Sequence, residues 1–352
     1  MQLLRELGTL RNTLISPYSL WGAVLLVVLG AEGKTEREIL EVLGTEGKEG
    51  LLTTWREVEK SLQTDAGDHS QVSLNLANRI YVNHGYEIKK CREELAAILF
   101  DVPLDQPLEA ARIINTYINT TTNAKIPNIV APSHLLGAQM VLVNAVYMKA
   151  QWEHRFTHSL TFNGSFFPSP EADPVEVTMM KAVDRNLMLG TSETLEAQII
   201  QLPYTGKLLK MTVILPTVKG EAGFNATLNA LNSTSFWDAL NALTLETVDL
   251  DMPKFEIQAK FGDDLKLALE RLGMREAFTN AANLSTFGPD LFVKHLLHRT
   301  FLSVDEEGSE AAAVTSAVIT TKISSFIKVN RPFLFAIHSQ EVVLFLGAYK
   351  RP

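Results

Sequence analysis

Val304-Asp-Glu-Glu-Gly308-Ser-Glu-Ala-Ala-Ala313-Val-Thr315-Ser-Ala-Val-Ile-Thr-Thr321 is the stretch on which the fold of this chain turns. From Ser309 to Arg331 there are 23 residues without a glycine or proline, entered through the acidic turn Asp305 to Gly308 and closed by Pro332. Such a low-charge, β-branched run makes a poor exposed loop, because it has the composition of a segment that pairs with other strands. It is also far too long for a core strand. One parity carries Ser309, Ala311, Ala313, Thr315, Ala317 and Ile319, all small or apolar, and the other carries Glu310, Ser316 and Thr320. That alternation suits insertion into a sheet over a tightly packed face. The run Glu310 to Val314 equally permits an alanine-rich helix, and pattern alone does not choose between the two.

After this segment the chain ends in a hairpin, Phe333 to Ile337 and Val342 to Leu346 around the polar turn His338 to Glu341. Before it, strands dominate back to Val141. Val141 to Met148 is the apolar run of a centrally buried strand, Met211 to Leu215 is similar, and Val248, Leu250 and Met252 alternate with Thr247, Asp249 and Asp251. A helix over Leu265 to Leu272 has Asp264 at its start and Gly273 as its stop. The first part is mainly helical. Leu20 to Leu29 is too short an apolar run to span a bilayer and reads as a core helix. A capping-box pattern from Thr35 to Glu38 opens a helix that Gly44 closes, and Arg92 to Phe100 and Leu108 to Thr121 add two more. Between them Val72, Leu74, Leu76, Asn78, Ile80 and Val82 alternate as a strand. No repeat and no linker divides the sequence, so the expectation is one α+β domain over residues 1–352.

The 352 residues are 46% hydrophobic and 20% charged, enough for a sizeable core. Forty acidic residues against 32 basic ones argue against nucleic acid or an anionic membrane as partner. A lone cysteine, Cys91, excludes an internal disulfide and any Cys-based zinc or CxxC site. Gly30 to Thr35 ends like a phosphate loop but has two residues between its glycines where the motif needs four, so it reads as a helix-to-helix turn with Thr35 as cap. His295 and His298 lack a third metal ligand at supporting spacing. No GxSxG, HExxH, GxGxxG or kinase triplet occurs, and Glu93 with Glu94 and Asp263 with Asp264 read as solvated faces or caps. A conventional enzyme is therefore not expected, and neither a cofactor nor a metal. Met1 to Arg5 does not open a signal peptide, which leaves a cytosolic protein or one already processed.

Several separated motifs resemble one family, the serpins, over essentially the whole chain. These are Asn12-Thr-Leu-Ile-Ser16-Pro17-Tyr-Ser19; Asn144-Ala-Val-Tyr147-Met-Lys149-Ala-Gln-Trp152 followed by Phe156; Leu202-Pro203-Tyr204 with Ile214-Leu215-Pro216; Met252-Pro253-Lys254-Phe255; and Ala282-Asn-Leu-Ser285. Most specific is His298 followed by the hinge Val304 to Thr315 and then Asn330-Arg-Pro332-Phe-Leu-Phe335. The resemblance implies the serpin fold, three β-sheets with eight to nine α-helices and an exposed reactive-centre loop within residues 305–331. It also implies a metastable native state in which a protease attacks the loop and is trapped as an acyl-enzyme when the loop enters sheet A. About 14 inserted residues at roughly 3.3 Å each would carry the loop's end some 45 Å.

By family spacing, fourteen positions on from Gly308 places the scissile bond at Lys322-Ile323, and a lysine there implies a trypsin-like serine protease as partner. Counting back from Pro332 instead favours Thr321-Lys322, which would suit an elastase-like enzyme. The hinge Glu306, Gly308, Ser309, Glu310, Ala311, Ala312 and Ala313 resembles the inhibitory pattern, against a non-inhibitory carrier, chaperone or storage role; inhibition of a cysteine protease also stays open. Ser16, Ser19, Asn144 and His298 are expected to cluster where the sheet parts, Trp152 to mark where insertion begins, and Lys254 to pair with Glu306. Sequons at Asn119, Asn163, Asn225, Asn232 and Asn283 favour an extracellular glycoprotein, with cytoplasmic residence as the alternative. A glycosaminoglycan partner is not indicated, since Leu51 to Ser70 carries no dense basic patch and Lys89, Lys90 and Arg92 precede Glu93 and Glu94. The chain is expected to be a monomer, with a first helix longer upstream than Gln2 to Leu7.

Overall fold

The computed structural model describes residues 1–8, 11–64, 72–84, 99–308 and 325–352. The hinge residues Ser309 to Ala313, the bond Lys322-Ile323, and Cys91 lie outside these. The first part runs α1 (Gln2–Leu7), β1 (Thr13–Ile15), α2 (Pro17–Val28), α3 (Gly33–Leu43), α4 (Leu51–Thr64), β2 (Val72–Asn83), β3 (Leu99–Val102), α5 (Pro107–Thr121), α6 (Pro132–Leu135) and β4 (Met140–Ala150). The middle adds β5 (Phe162–Phe166), β6 (Val175–Ser192), β7 (Ala197–Pro203), β8 (Lys210–Pro216), α7 (Glu221–Ala230), α8 (Ser233–Asn241), β9 (Thr244–Pro253), β10 (Phe255–Phe261) and α9 (Asp263–Leu272). β11 (His295–Val304), β12 (Ser325–Lys328), β13 (Phe333–His338) and β14 (Val343–Tyr349) close the chain.

The α+β expectation holds. Of the three sheets implied, two are hydrogen-bonded into one nine-stranded sheet, because β6 at 18 residues is long enough to pair with β5, β7 and β9 in turn. A register shift between Ala182 and Arg185 lets it change direction on the way. The other sheet has the order β10-β11-β4-β2-β3.

Two local expectations are corrected. Leu99 and Phe100, placed in a helix from Arg92 to Phe100, begin strand β3 and pair with Ile80 and Tyr81 of β2; the rest of that helix lies outside the described residues. Thr35 does not cap α3, whose first residue is Gly33. It is fully buried inside the helix, donates to Glu276 Oε2 (2.6 Å) and accepts from Asn283 N–H (2.9 Å). Glu38 likewise turns away from its own helix and accepts from the backbone N–H groups of Arg275 (2.9 Å) and Glu276 (2.7 Å). The local spacing is that of a cap, but the hydrogen bonds are tertiary.

α2 begins with Ser16 accepting from Ser19 N–H (3.2 Å) and Pro17 in the first turn, which needs no donor there. Its apolar residues pack beneath the five-stranded sheet, and α5 lies across the opposite face, burying Ile114 and Ile118 with Val141, Val143, Ala145, Leu297 and Phe301 of β4 and β11. The sheet therefore has helices on both sides of the strands that matter most below.

Candidate functional site

β11 and β4 are parallel neighbours from His295↔Val141 to Phe301↔Tyr147. No strand lies between them along these pairs. Beyond Phe301 and Tyr147 the pairing stops, although β11 runs on to Val304 and β4 to Ala150. A parallel pair flanked by antiparallel partners is the arrangement into which one antiparallel strand fits, hydrogen-bonding to both sides.

The chain enters this gap at its open end. After Val304 it reverses: Asp305 N–H donates to Gly308 O (3.0 Å), Gly308 N–H to Asp305 O (3.2 Å), and Asp305 Oδ1 accepts from Glu307 N–H (3.0 Å). Gly308 is bridged antiparallel both to Asp305 and to Gln151, the residue after β4. It therefore stands between the extensions of the two strands. Its φ of 125° favours glycine, and a Cβ there would lie 2.7 Å from Gln151 Cα and from Trp152 N.

The turn is held by buried charges. Glu306, 2% exposed, accepts from Lys254 Nζ (2.9 Å) and Thr161 Oγ1 (2.8 Å). Burial alone would raise its carboxyl, but these hydrogen bonds outweigh that and hold it below the usual carboxylate range. Glu307 pairs with Arg155 (2.9 Å) and His158 Nε2 (3.0 Å). Trp152, buried and stacked on Tyr204 at 4.5 Å, donates through Nε1 to Asp305 O (2.9 Å) and through its backbone to Glu307 O (2.9 Å).

Lower down, the strands are joined by a buried polar cluster under Asn144↔His298. Asn144 Nδ2 donates to Ser19 Oγ (2.6 Å), Ser19 O (3.0 Å) and Asn78 Oδ1. Ser16 N–H donates to His298 Nε2 (3.3 Å), so the ring's proton sits on Nδ1 and is donated to Asn144 Oδ1. Ser16 Oγ donates to Leu344 O (2.6 Å). Burial pushes the His298 pKa down to about 3, so the imidazole is neutral. With both nitrogens committed it has none to offer a metal, and among the described residues no three His, Cys, Asp or Glu side chains are grouped to hold one.

The structure thus brings together Ser16, Ser19, Asn144 and His298 in one cluster and Trp152, Lys254, Glu306 and Gly308 in another. It adds Asn78, Arg155, His158 and Thr161, which motif reading missed. Asn78 had a legible signal: it is a polar residue on the core-facing parity of β2, between Leu76 and Ile80. Of the sequons, Asn119 stands on α5 and is half-buried, with its amide oxygen out of solvent. Asn163, Asn225, Asn232 and Asn283 are exposed.

The model of the serpin (serine protease inhibitor) family matches residues 1–352. The chain is 34% identical to serine protease inhibitor 42Dd of Drosophila melanogaster, covering 100% of this chain and 94% of that one. Among solved structures it superposes on Serpin48 of the insect Tenebrio molitor with a TM-score of 0.87 at 26% identity, covering 100% of this chain and 95% of that one. It superposes on thyroxine-binding globulin, in complex with thyroxine, with a TM-score of 0.87 at 24% identity, covering 99% and 96%. The match along its whole length and the identity to the fly inhibitor place the chain in a family whose members are generally protease inhibitors rather than catalysts: it is a serpin.

Proposed function

We propose that this chain inhibits trypsin-like serine proteases as a suicide substrate. The protease serine attacks the Lys322 carbonyl, the Lys322-Ile323 bond breaks with the new Ile323 amine leaving protonated, and Lys322 stays esterified to the enzyme. Insertion of the freed loop between β4 and β11 then drags the enzyme across the molecule. Distorting its triad and oxyanion hole removes the terms that make deacylation fast. The observation that carries this reading is the position of Gly308, antiparallel to Gln151 and Asp305 at the open end of the gap. From there the first loop residues meet the unpaired ends of β4 and β11, and deeper insertion exchanges the pairing of β4 with β11 for hydrogen bonds on both sides, each net new bond contributing about 1 kcal/mol. The chain acts as a monomer, in an extracellular setting and glycosylated at exposed sequons.

The test is incubation with trypsin, followed by denaturing electrophoresis and mass spectrometry of the released peptide. A stable covalent complex and a peptide beginning at Ile323 are expected; a peptide beginning at Lys322 moves the bond to Thr321-Lys322. Lys322→Ala should abolish the complex and Ser309→Arg should turn trapping into simple cleavage. Cleavage of the unaltered chain with no complex and no rise in heat resistance overturns the reading.

A carrier role is the second reading, favoured by one observation. A cavity of about 410 Å³ opens between α2, α4, α8 and the start of β14, lined by Tyr18, Trp21, Trp55, Trp237, Val342 and Val343. Its size falls in the range of small-molecule sites. Quenching of tryptophan fluorescence by an apolar ligand, in a chain that traps no protease, would select it.

A further inference from the structure

We propose that Phe326 is a docking residue for the attacking protease, and that the enzyme it selects carries an acidic side chain beside an apolar one on the rim of its leaving-group side. The inference rests on the reading above, that attack falls at or next to Lys322. β12 is tied to β9 by four parallel register pairs, from Ser325↔Val248 to Lys328↔Asp251, so its side chains are held in place. Alternation turns Ile327 inward, 3% exposed, and Phe326 outward, 59% exposed. An extended chain spans at most about 3.6 Å per residue, so Phe326 lies within about 14 Å of Lys322. A protease–inhibitor contact covers about 800 Å² on each partner, a disc of about 16 Å radius. The ring therefore lies within the radius of a contact centred on that bond. Exposed aromatic rings at such a place are the residues that interfaces use as anchors.

The surrounding charge indicates the partner's chemistry. Phe326 lies opposite Asp249 in the register, and Lys328 and Lys181 both lie opposite Asp251. Lys181 Nζ stands 6.0 Å from the Phe326 ring and Lys328 Nζ 5.9 Å from the Phe162 ring. Of the carboxylates of this face, Asp251 is 3% exposed and feels the charge of both lysines from beneath them, and Asp249 Oδ1 accepts from Asp184 N–H (2.9 Å). Neither lysine forms an ion pair among the described residues. The face offers outward the exposed Phe326 ring and two half-exposed ammonium groups, with Asp249 as the half-exposed carboxylate beside them.

The experiment measures the rate of formation of the denaturant-stable complex with trypsin at several salt concentrations. Phe326→Ala is expected to slow association about tenfold. Reversing both charges, Lys181→Glu with Lys328→Glu, should slow it further and remove the fall of rate with salt. The number of inhibitor molecules consumed per enzyme trapped should stay at the wild-type value, because it counts insertion against hydrolysis and not docking. Phe326→Leu, which keeps an apolar side chain, should recover most of the rate. Unchanged association in both the alanine and the charge-reversed variants overturns the proposal. A wild-type chain that is cleaved with no complex and no rise in heat resistance is a different result, which overturns the suicide-substrate reading and this inference with it.

Discussion

Gly308 and Gln151 form an antiparallel bridge beyond the end of β4, at a point where the glycine backbone leaves no space for a side chain. A methyl group on Gly308 would press on Ala150 O, Gln151 Cα and Trp152 N, all backbone atoms that cannot rotate away. Gly308→Ala should therefore lift the hinge from its seat between the strands, at a cost of about 1–3 kcal/mol. The expected outcome is slower insertion, so that more chains are cleaved for each protease trapped. Titration of trypsin with the variant measures this ratio, and a wild-type value would mean that the seat of Gly308 is irrelevant to trapping.

Lys254 is half-exposed, whereas the Glu306 carboxylate that it meets at 2.9 Å is almost wholly buried. Removing the lysine leaves that charge with Thr161 as its remaining side-chain hydrogen-bond donor. A fully buried pair loses about 3–5 kcal/mol when one partner is removed, and solvent on the Lys254 side reduces this to about 1–2 kcal/mol. Lys254→Ala should lower the melting midpoint of the uncleaved chain by a few degrees. Adding Glu306→Gln should recover part of the loss, since a neutral amide still accepts from Thr161 without a charge to desolvate. A double variant no more stable than Lys254→Ala would contradict this account.

What could be read from the sequence and what could not divide along physical lines. Strands such as Val141 to Met148 were legible because burial on both faces demands an unbroken apolar run, and β4 extends that run by only a few residues at each end. The cluster of Ser16, Ser19, Asn144 and His298 was legible only through family resemblance, since the register His298↔Asn144 joins residues far apart in the chain. Asn78 was visible as a polar residue on an apolar parity, but nothing local says that its partners are Ser19 and Asn144. Thr35 and Glu38 have the right spacing for a capping box. Their hydrogen-bond partners at residues 275–283 lie beyond any local window.

Glu38 carries a further consequence. Its carboxylate takes the backbone N–H groups of Arg275 and Glu276, which begin a 3-10 turn and have no other partner of that kind. Burial raises its pKa, but these two donors and Lys34 outweigh burial and the net direction is down. The folded pKa thus lies below the unfolded one, so the contribution is present above about pH 4.5 and is lost as pH falls through the folded value. Glu38→Ala should cost about 2 kcal/mol, read as a lower denaturant midpoint, and Glu38→Gln about half as much. Equal midpoints for wild type and Glu38→Ala at pH 7 would show that the link between α3 and residues 275–276 adds nothing.

His298 gives the same sign in a higher pH window. Its Nε2 accepts the Ser16 N–H, so a second proton on the ring would set two donors against each other inside a sealed site. The folded pKa, about 3, lies below the usual value of 6.5, and for a histidine this means that the folded state resists protonation. Stability is complete above pH 6.5 and is lost as pH falls from there toward 3, because the unfolded chain takes up the proton first. By pH 5 the loss is about 2 kcal/mol. Most of it falls in a range where carboxylates have not begun to titrate. Since Asn144↔His298 is one of the pairs joining β4 to β11, acid should loosen the very strands that part for insertion. His298→Gln, neutral at every pH, should start from a lower stability at pH 7.5 and lose about 2 kcal/mol less between there and pH 5. Denaturant midpoints of the two chains across that range test this, and parallel pH profiles would remove His298 as the source of acid sensitivity.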